Sequence, residues 1–444
     1  MTKINTKALP GMMELLPGDQ IEFDRIRGII EETYRQFGFG NIDTPVIERS
    51  EVLLAKAGGE TERQVYRFNK GDTDLSLRFD LTVPLARYVA EHFNELSFPF
   101  RRYQIGKVYR GESAQKGRYR EFYQCDIDIV GKDKLGIYYD AEVPYIIYRL
   151  FRRLDFGRFV IRVSNRKILG GLMESLDLAD KTTEVLRIID KKDKVSSDKL
   201  VDMLTACGLE SKAIEILVGF AGIVGSCNEV LGKLKGMNVT NEKFGQGIEE
   251  LGVVTDMMVR MGVDERYFGI DLSIARGLDY YTGTVYETIL VDHPQLGSVC
   301  SGGRYDNLAS HYTDQRLPGV GISIGLTRLF FKLNELGLVS GSGVGAADVV
   351  VVPLGADNIV CALETGQWLR DNGYKVDVLI EDGTKIKEKF RYVAKKNAKA
   401  AIVIGDDEQK AGKYLLQREL ADGSLEKKIL TKAQAIKELK MICG

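Results

Sequence analysis

Apolar residues near the start of the chain recur at helical spacing. Phe23, Ile26, Ile30, Tyr34 and Phe37 fall three and four apart and predict a helix over 20–37 with one buried stripe. Gly38 and Gly40 end it. Residues 41–48 then read as extended, with Pro45 suited to an edge position. Short strands are predicted at 66–68 and 75–79, followed by a helix starting near Pro84. Two β-rich segments, 100–109 and 119–130, flank the polar loop 111–117, the pattern of a hairpin with a long tip. A helix over 140–154, a strand over 159–164 and a run of helical segments over 172–262 follow, the last with charge clusters that read as solvated faces. Strands are predicted at 284–291, at 298–306 and from Gly319. A helix striped by Leu326, Leu329, Phe330 and Leu333 comes next. After the glycine-rich stretch 337–346, strands at 348–353, 375–379 and 400–404 alternate with helices at 358–372 and 384–396. Two more strands, at 414–419 and 426–430, precede a final helix. Helices between strands imply a mainly parallel sheet in this last part.

Composition narrows the class. A chain of 444 residues with 44% hydrophobic content predicts two to four folded domains and little disorder. No run has the length of a membrane span and the first residues lack a signal-peptide pattern, so the expectation is an intracellular, cytoplasmic protein with no membrane partner. Six scattered cysteines with no Cys-x-x-Cys, and three histidines (His92, His293 and His311) with no ligand spacing, argue against a zinc site. The formal net charge of -1 leaves any nucleic-acid binding to local basic patches. One such patch is Lys385, Lys387, Lys389, Arg391, Lys395, Lys396 and Lys399, which reads equally as a solvated helix face.

The chemistry concentrates at a few places. At 275–286, Arg276, Asp279, Tyr280 and Tyr281 crowd the entrance of a β-branched strand, more polar and aromatic function than a glycine turn needs. Asp80 and Thr82 stand where a strand meets a helix, placed either to cap it or to hold an ammonium. On the second strand of the hairpin, parity puts Gln124, Asp126 and Asp128 on one face and Cys125, Ile127 and Ile129 on the other. The polar face is either solvated or lines a pocket. Arg110, Arg118 and Arg120 flank the hairpin loop, and a guanidinium fork suits phosphate. Arg328, in the first turn of a helix, adds charge to the positive helix end. Gly302 and Gly303 form either a bulge or a surface against which a flat ligand lies.

Residues 275–286 resemble the signature of histidyl-tRNA synthetases. Tyr109-Arg-Gly-Glu with Gly117-Arg-Tyr-Arg-Glu-Phe resembles the second motif of class II synthetases, and 319–329 the third. The helix and strand over 20–48 are similar to the first, which implies a homodimer.

The resemblance implies an α+β catalytic domain, an antiparallel sheet with helices, plus a helical insertion and a C-terminal α/β anticodon-binding domain. The catalytic domain would occupy 1–165 and 266–336, the insertion 166–265, a linker 337–346 and the anticodon-binding domain 347–444.

By the same resemblance, Arg276 and Arg110 are catalytic at the ATP α-phosphate. Glu112 holds the adenine side, and Arg118 and Arg328 the outer phosphates. Asp80, Thr82 and Gln124 bind the amino group of L-histidine. Asp128, Tyr280, Tyr281 and Tyr305 line the imidazole pocket. ATP with Mg2+ and tRNA(His) are the implied partners. Two alternatives stay open from sequence: a histidine-sensing regulatory subunit of an ATP phosphoribosyltransferase, and a tRNA-sensing module of a regulatory kinase.

Overall fold

The computed structural model describes residues 4–55, 59–112, 119–192, 195–274, 281–341, 343, 345–381, 384–420 and 422–443, without the side chains of 59–61. The chain folds into two compact units, Met1–Met13 with Ile26–Leu338, and Glu14–Arg25 with Val339–Gly444.

An eight-stranded sheet organises the first unit. Its order is Gly40–Asn41, Phe100–Tyr109, Glu121–Val130, Gly319–Gly325, Ser298–Tyr305, Thr284–Leu290, Phe159–Asn165 and Phe268–Ile270. The six inner strands are antiparallel, and each outer strand joins in parallel. The alternation read from sequence is realised: Cys125, Ile127 and Ile129 are fully buried on one face, and Gln124, Asp126 and Asp128 look the other way. Helix Tyr138–Leu154 buries Ala141, Val143, Ile146, Ile147 and Leu150, its residues at helical spacing. Its Asp140 receives Nε of Arg304 at 3.0 Å on both carboxylate oxygens, a buried pair that ties the helix to strand Ser298–Tyr305. Helices from Arg166–Ser175 to Glu242–Arg260 fill the interval between strands Phe159–Asn165 and Phe268–Ile270.

The extended stretch expected over 41–48 is not one strand. Gly40–Asn41 joins the large sheet, while Ile47–Arg49 pairs with Thr73–Leu77 in a separate three-stranded sheet. Pro45 lies between them and has no N–H to give to either ladder. The turn is held from inside: Arg78 donates Nη1 to the Thr44 carbonyl at 2.5 Å, and Gln104 donates Nε2 to Asp43 at 2.8 Å.

In the second unit five strands run in the order Val376–Val378, Val349–Pro353, Ala400–Ile404, Tyr414–Glu419 and Leu425–Leu430. The first three are parallel and the last two antiparallel, so the sheet is mixed rather than mainly parallel. The reversal comes at the connection from Ala400–Ile404 to Tyr414–Glu419, where a short helix ends on Gly412 at a φ of 61°, and a hairpin turning at Gly423, with a φ of 79°, adds the last strand. A helix not expected from sequence, Asp406–Ala411, follows the third strand. Of the basic residues after 384, Lys389 is buried and donates to the Pro353 carbonyl at 2.7 Å, while Lys396 pairs with Asp377 at 3.0 Å. The positive face is therefore smaller than the sequence count.

Candidate active site

A cavity of about 510 Å3 lies within the first unit, against the polar face of the large sheet. Its first wall is the junction between strand Thr73–Leu77 and helix Thr82–Glu91. Asp80 Oδ1 accepts from the backbone N–H of Thr82 at 3.0 Å and of Val83 at 2.9 Å. The helix-cap reading of Asp80 is thus realised, and Asp80 and Thr82 line the cavity as well. A cap fixes the carboxylate on a rigid element, which is what a binding group needs.

The floor is the hairpin, in which Arg102 stands opposite Asp128, Gln104 opposite Asp126 and Gly106 opposite Gln124. Asp128 is held from two sides: Tyr305 donates its hydroxyl to Oδ1 at 2.8 Å, and the buried Arg102 guanidinium lies 2.6 Å from Oδ2. Burial raises the Asp128 carboxyl to about 6, with Arg102 and the Tyr305 hydroxyl pulling it back down. Asp126 is pushed higher, to about 7, again by burial opposed by Arg102. Gln124 donates Nε2 to the Ser323 hydroxyl at 2.6 Å, and that hydroxyl also serves Asp126.

The cations that line the cavity are Arg110, Arg328 and Lys332, and Glu112 lines it too. The Arg110 guanidinium lies 4.4 Å from the ring centre of Phe79 and 5.0 Å from that of Phe122, and its Nε donates to the Phe79 carbonyl at 3.2 Å. Such stacking holds the planar fork in one orientation. Arg328 sits in the first turn of helix Leu326–Glu335 and donates Nη2 to the Leu296 carbonyl at 3.0 Å. Arg120 does not join them: its Nε donates to the Glu112 carbonyl at 3.1 Å and its side chain packs on Gly11. Arg118, Arg276 and Tyr280 lie outside the described residues.

Tyr281 and Tyr305 both reach the cavity. The glycine pair works differently from either sequence reading. A Cβ at Gly303 would lie 3.0 Å from the Tyr281 ring, and one at Gly302 only 2.1 Å from the Gly321 carbonyl. These glycines make room for the protein's own ring and neighbouring strand. Gly321 does the same for Asp128, whose Oδ1 a Cβ would approach to 2.2 Å.

A scan of family models matches residues 11–329 to Histidyl-tRNA synthetase and residues 348–441 to Anticodon binding domain. The chain belongs to the histidyl-tRNA synthetase family. It is 52% identical to the Histidine--tRNA ligase of Clostridium tetani (strain Massachusetts / E88), over 92% of this chain and 93% of that one. Histidyl-tRNA synthetase from Nostoc sp. PCC 7120 superposes with a TM-score of 0.89 at 37% identity, covering 99% and 100% of the two chains. An ATP phosphoribosyltransferase regulatory subunit/histidyl-tRNA synthetase from Bacillus halodurans C shares the fold, with a TM-score of 0.75 at 21% identity over 91% and 99%. The family's activity is that of a class II histidine–tRNA ligase with ATP as substrate.

Nine of the twelve residues to which the family resemblance gives a site role in this synthetase chain line one cavity: Asp80, Thr82, Arg110, Glu112, Gln124, Asp128, Tyr281, Tyr305 and Arg328. The other three are those outside the described residues. Sequence reasoning gave Asp126 no role of its own and passed over Arg102. Parity already placed Asp126 on the pocket face, whereas Arg102 needed the hairpin register to bring it against Asp128.

Proposed function

We propose that this cavity activates L-histidine with ATP and that the chain then transfers the histidyl group to tRNA(His). Asp80, Thr82 and Gln124 bind the substrate α-ammonium. Asp128, braced by Tyr305 and Arg102, accepts from the imidazole N–H, with Tyr281 and Tyr280 against the ring. A histidine oriented this way offers its carboxylate to the ATP α-phosphorus. A carboxylate oxygen bonds to that phosphorus as the bond to pyrophosphate breaks, leaving histidyl-adenylate. Arg110 and Arg276 hold charge at the α-phosphate, Arg118 and Arg328 hold the outer phosphates, and Glu112 holds the adenine side. Fixed cations stabilise charge that develops in a dry site without reorganising. The terminal adenosine hydroxyl of tRNA then attacks the acyl carbon and AMP leaves.

Mg2+ belongs to this scheme as part of the ATP substrate. Among the described residues no group of three acidic, histidine or cysteine side chains is placed to hold a resident ion. The unit that matches the anticodon-binding model would read the anticodon end, and the helices of 166–265 the acceptor end. The working form would be a cytoplasmic homodimer. No described helix is long and apolar enough to cross a membrane.

The observation that carries the reading is a carboxylate-bearing strand face, Gln124 to Asp128, in the same cavity as Arg110 and Arg328. An ammonium site and a phosphate site share one chamber. The test is exchange of labelled pyrophosphate into ATP without tRNA, with each amino acid in turn. Exchange with histidine alone is expected. Histidine binding without exchange would point instead to a histidine-sensing regulatory protein.

A further inference from the structure

Asp126 lies on the cavity floor between Gln124 and Asp128, on the same face of the same strand, and only 1% of its surface is exposed. Its Oδ1 has no hydrogen-bond partner among the described residues, and neither has Gln124 Oε1. Buried acceptors are normally satisfied, so two vacant ones on one cavity wall mark the place of a missing donor. A cationic donor suits three carboxylates set close together. Asp80, Asp126 and Asp128 act on one another as like charges, and Arg102 is the guanidinium that opposes them at both floor carboxylates.

Alternate side chains on a strand stand about 7 Å apart. A histidine with its ring at Asp128 and its α-nitrogen near Gln124 therefore spans Asp126. Its ammonium has three N–H donors, and the ring has already been given to Asp128 and Tyr281. We infer that Asp126 is a further substrate-binding residue: its Oδ1 accepts from the α-ammonium of histidine together with Asp80, Thr82 and the Gln124 carbonyl oxygen, four acceptors that share three N–H donors through bifurcated bonds. Ser323 orients the arrangement, since its hydroxyl takes Nε2 of Gln124 and turns Oε1 of that amide toward the vacant place. This inference rests on the proposed histidine site.

The test compares three ligands by calorimetry on the full chain: histidine, histidinol, which keeps the ammonium and lacks the carboxylate, and imidazolepropionate, which lacks the ammonium. Asp126→Asn keeps the shape and removes the charge; Asp126→Ser is the second variant should the first fold poorly. Both should bind histidine and histidinol about tenfold or more weakly, the loss expected for a hydrogen bond to a charged group. Imidazolepropionate and ATP should bind as they do to the parent chain. Unchanged histidine affinity overturns the inference, as does an equal loss for all three ligands or a loss that extends to ATP. A parent chain that binds ATP and none of the three ligands overturns the histidine site itself; one that binds histidine while the variants match it overturns only the role of Asp126.

Discussion

Tyr305→Phe isolates one hydrogen bond. The hydroxyl donates to Asp128 Oδ1 at 2.8 Å with both residues buried, and the ring packs where Gly319 has no side chain, so phenylalanine fits the same space. A hydrogen bond to a charged group contributes about 1.5–3 kcal/mol. It favours the ionised carboxylate, so losing about 1.5 kcal/mol of it raises the Asp128 pKa by about one unit. Starting from about 6, the carboxyl would then titrate at about 7. The ionised form accepts from an imidazole N–H far more strongly than the protonated one. At pH 6.5 the parent site would be about three-quarters ionised and the variant about one-quarter, while at pH 8.5 both would be almost fully ionised. The KM for histidine in pyrophosphate exchange, taken as variant over parent, should therefore fall about threefold between pH 6.5 and 8.5. Titration of the substrate's own ring cancels in that ratio. A ratio that stays flat over this range would refute the linkage, leaving Tyr305 as packing.

Three further outcomes follow from the same geometry. Asp126 and Asp128 titrate above the ordinary carboxylate value of 3.8, so the folded chain holds their protons more tightly than the unfolded chain. Their contribution to stability is full below about pH 4 and is lost as pH rises through about 7. Asp126→Asn should accordingly raise stability to denaturant at pH 8 by up to about 4 kcal/mol, with little gain at pH 4; an equal gain at both would contradict the burial argument. Gly321→Ala would drive a methyl to within 2.2 Å of Asp128 Oδ1 and 2.3 Å of the Ile127 carbonyl. Exchange with histidine should drop about 100-fold, the cost of an ångström-scale misplacement, and near-parent exchange would show that the floor yields. Arg276→Ala, chosen from its place in the family signature, should slow single-turnover adenylate formation about 100-fold or more while histidine binding stays close to the parent's. Unchanged adenylation would remove Arg276 from the chemistry.

How much was legible depended on whether a residue's role is local. The strand parity of Gln124 to Asp128 needs only a period of two, and the structure bears it out. Helix Pro17–Gln36 and the strands after 348 likewise follow from spacing and alternation. Long-range register was invisible. Nothing near Arg102 in the sequence announces that it meets Asp128, and nothing near Gly302 that the Gly321 carbonyl occupies its side-chain space. Pro45 was read as an edge residue of one strand, when the backbone around it changes sheets. Lys389 shows the limit of counting charge, since a lysine in a basic run proves buried on the Pro353 carbonyl.

The place of strand Gly319–Gly325 has a consequence in time. It is the last strand of the large sheet to be synthesised, yet it lies between Glu121–Val130 and Ser298–Tyr305 near the middle. Until it emerges from the ribosome, the earlier strands can form only two half-sheets, each with an unpaired inner edge. The carboxylate floor sits on one half and the Tyr281 and Tyr305 walls on the other. A nascent chain thus has neither a substrate site nor a continuous sheet until the final insertion makes both at once, and in that interval its inner edges are open to pairing with other chains.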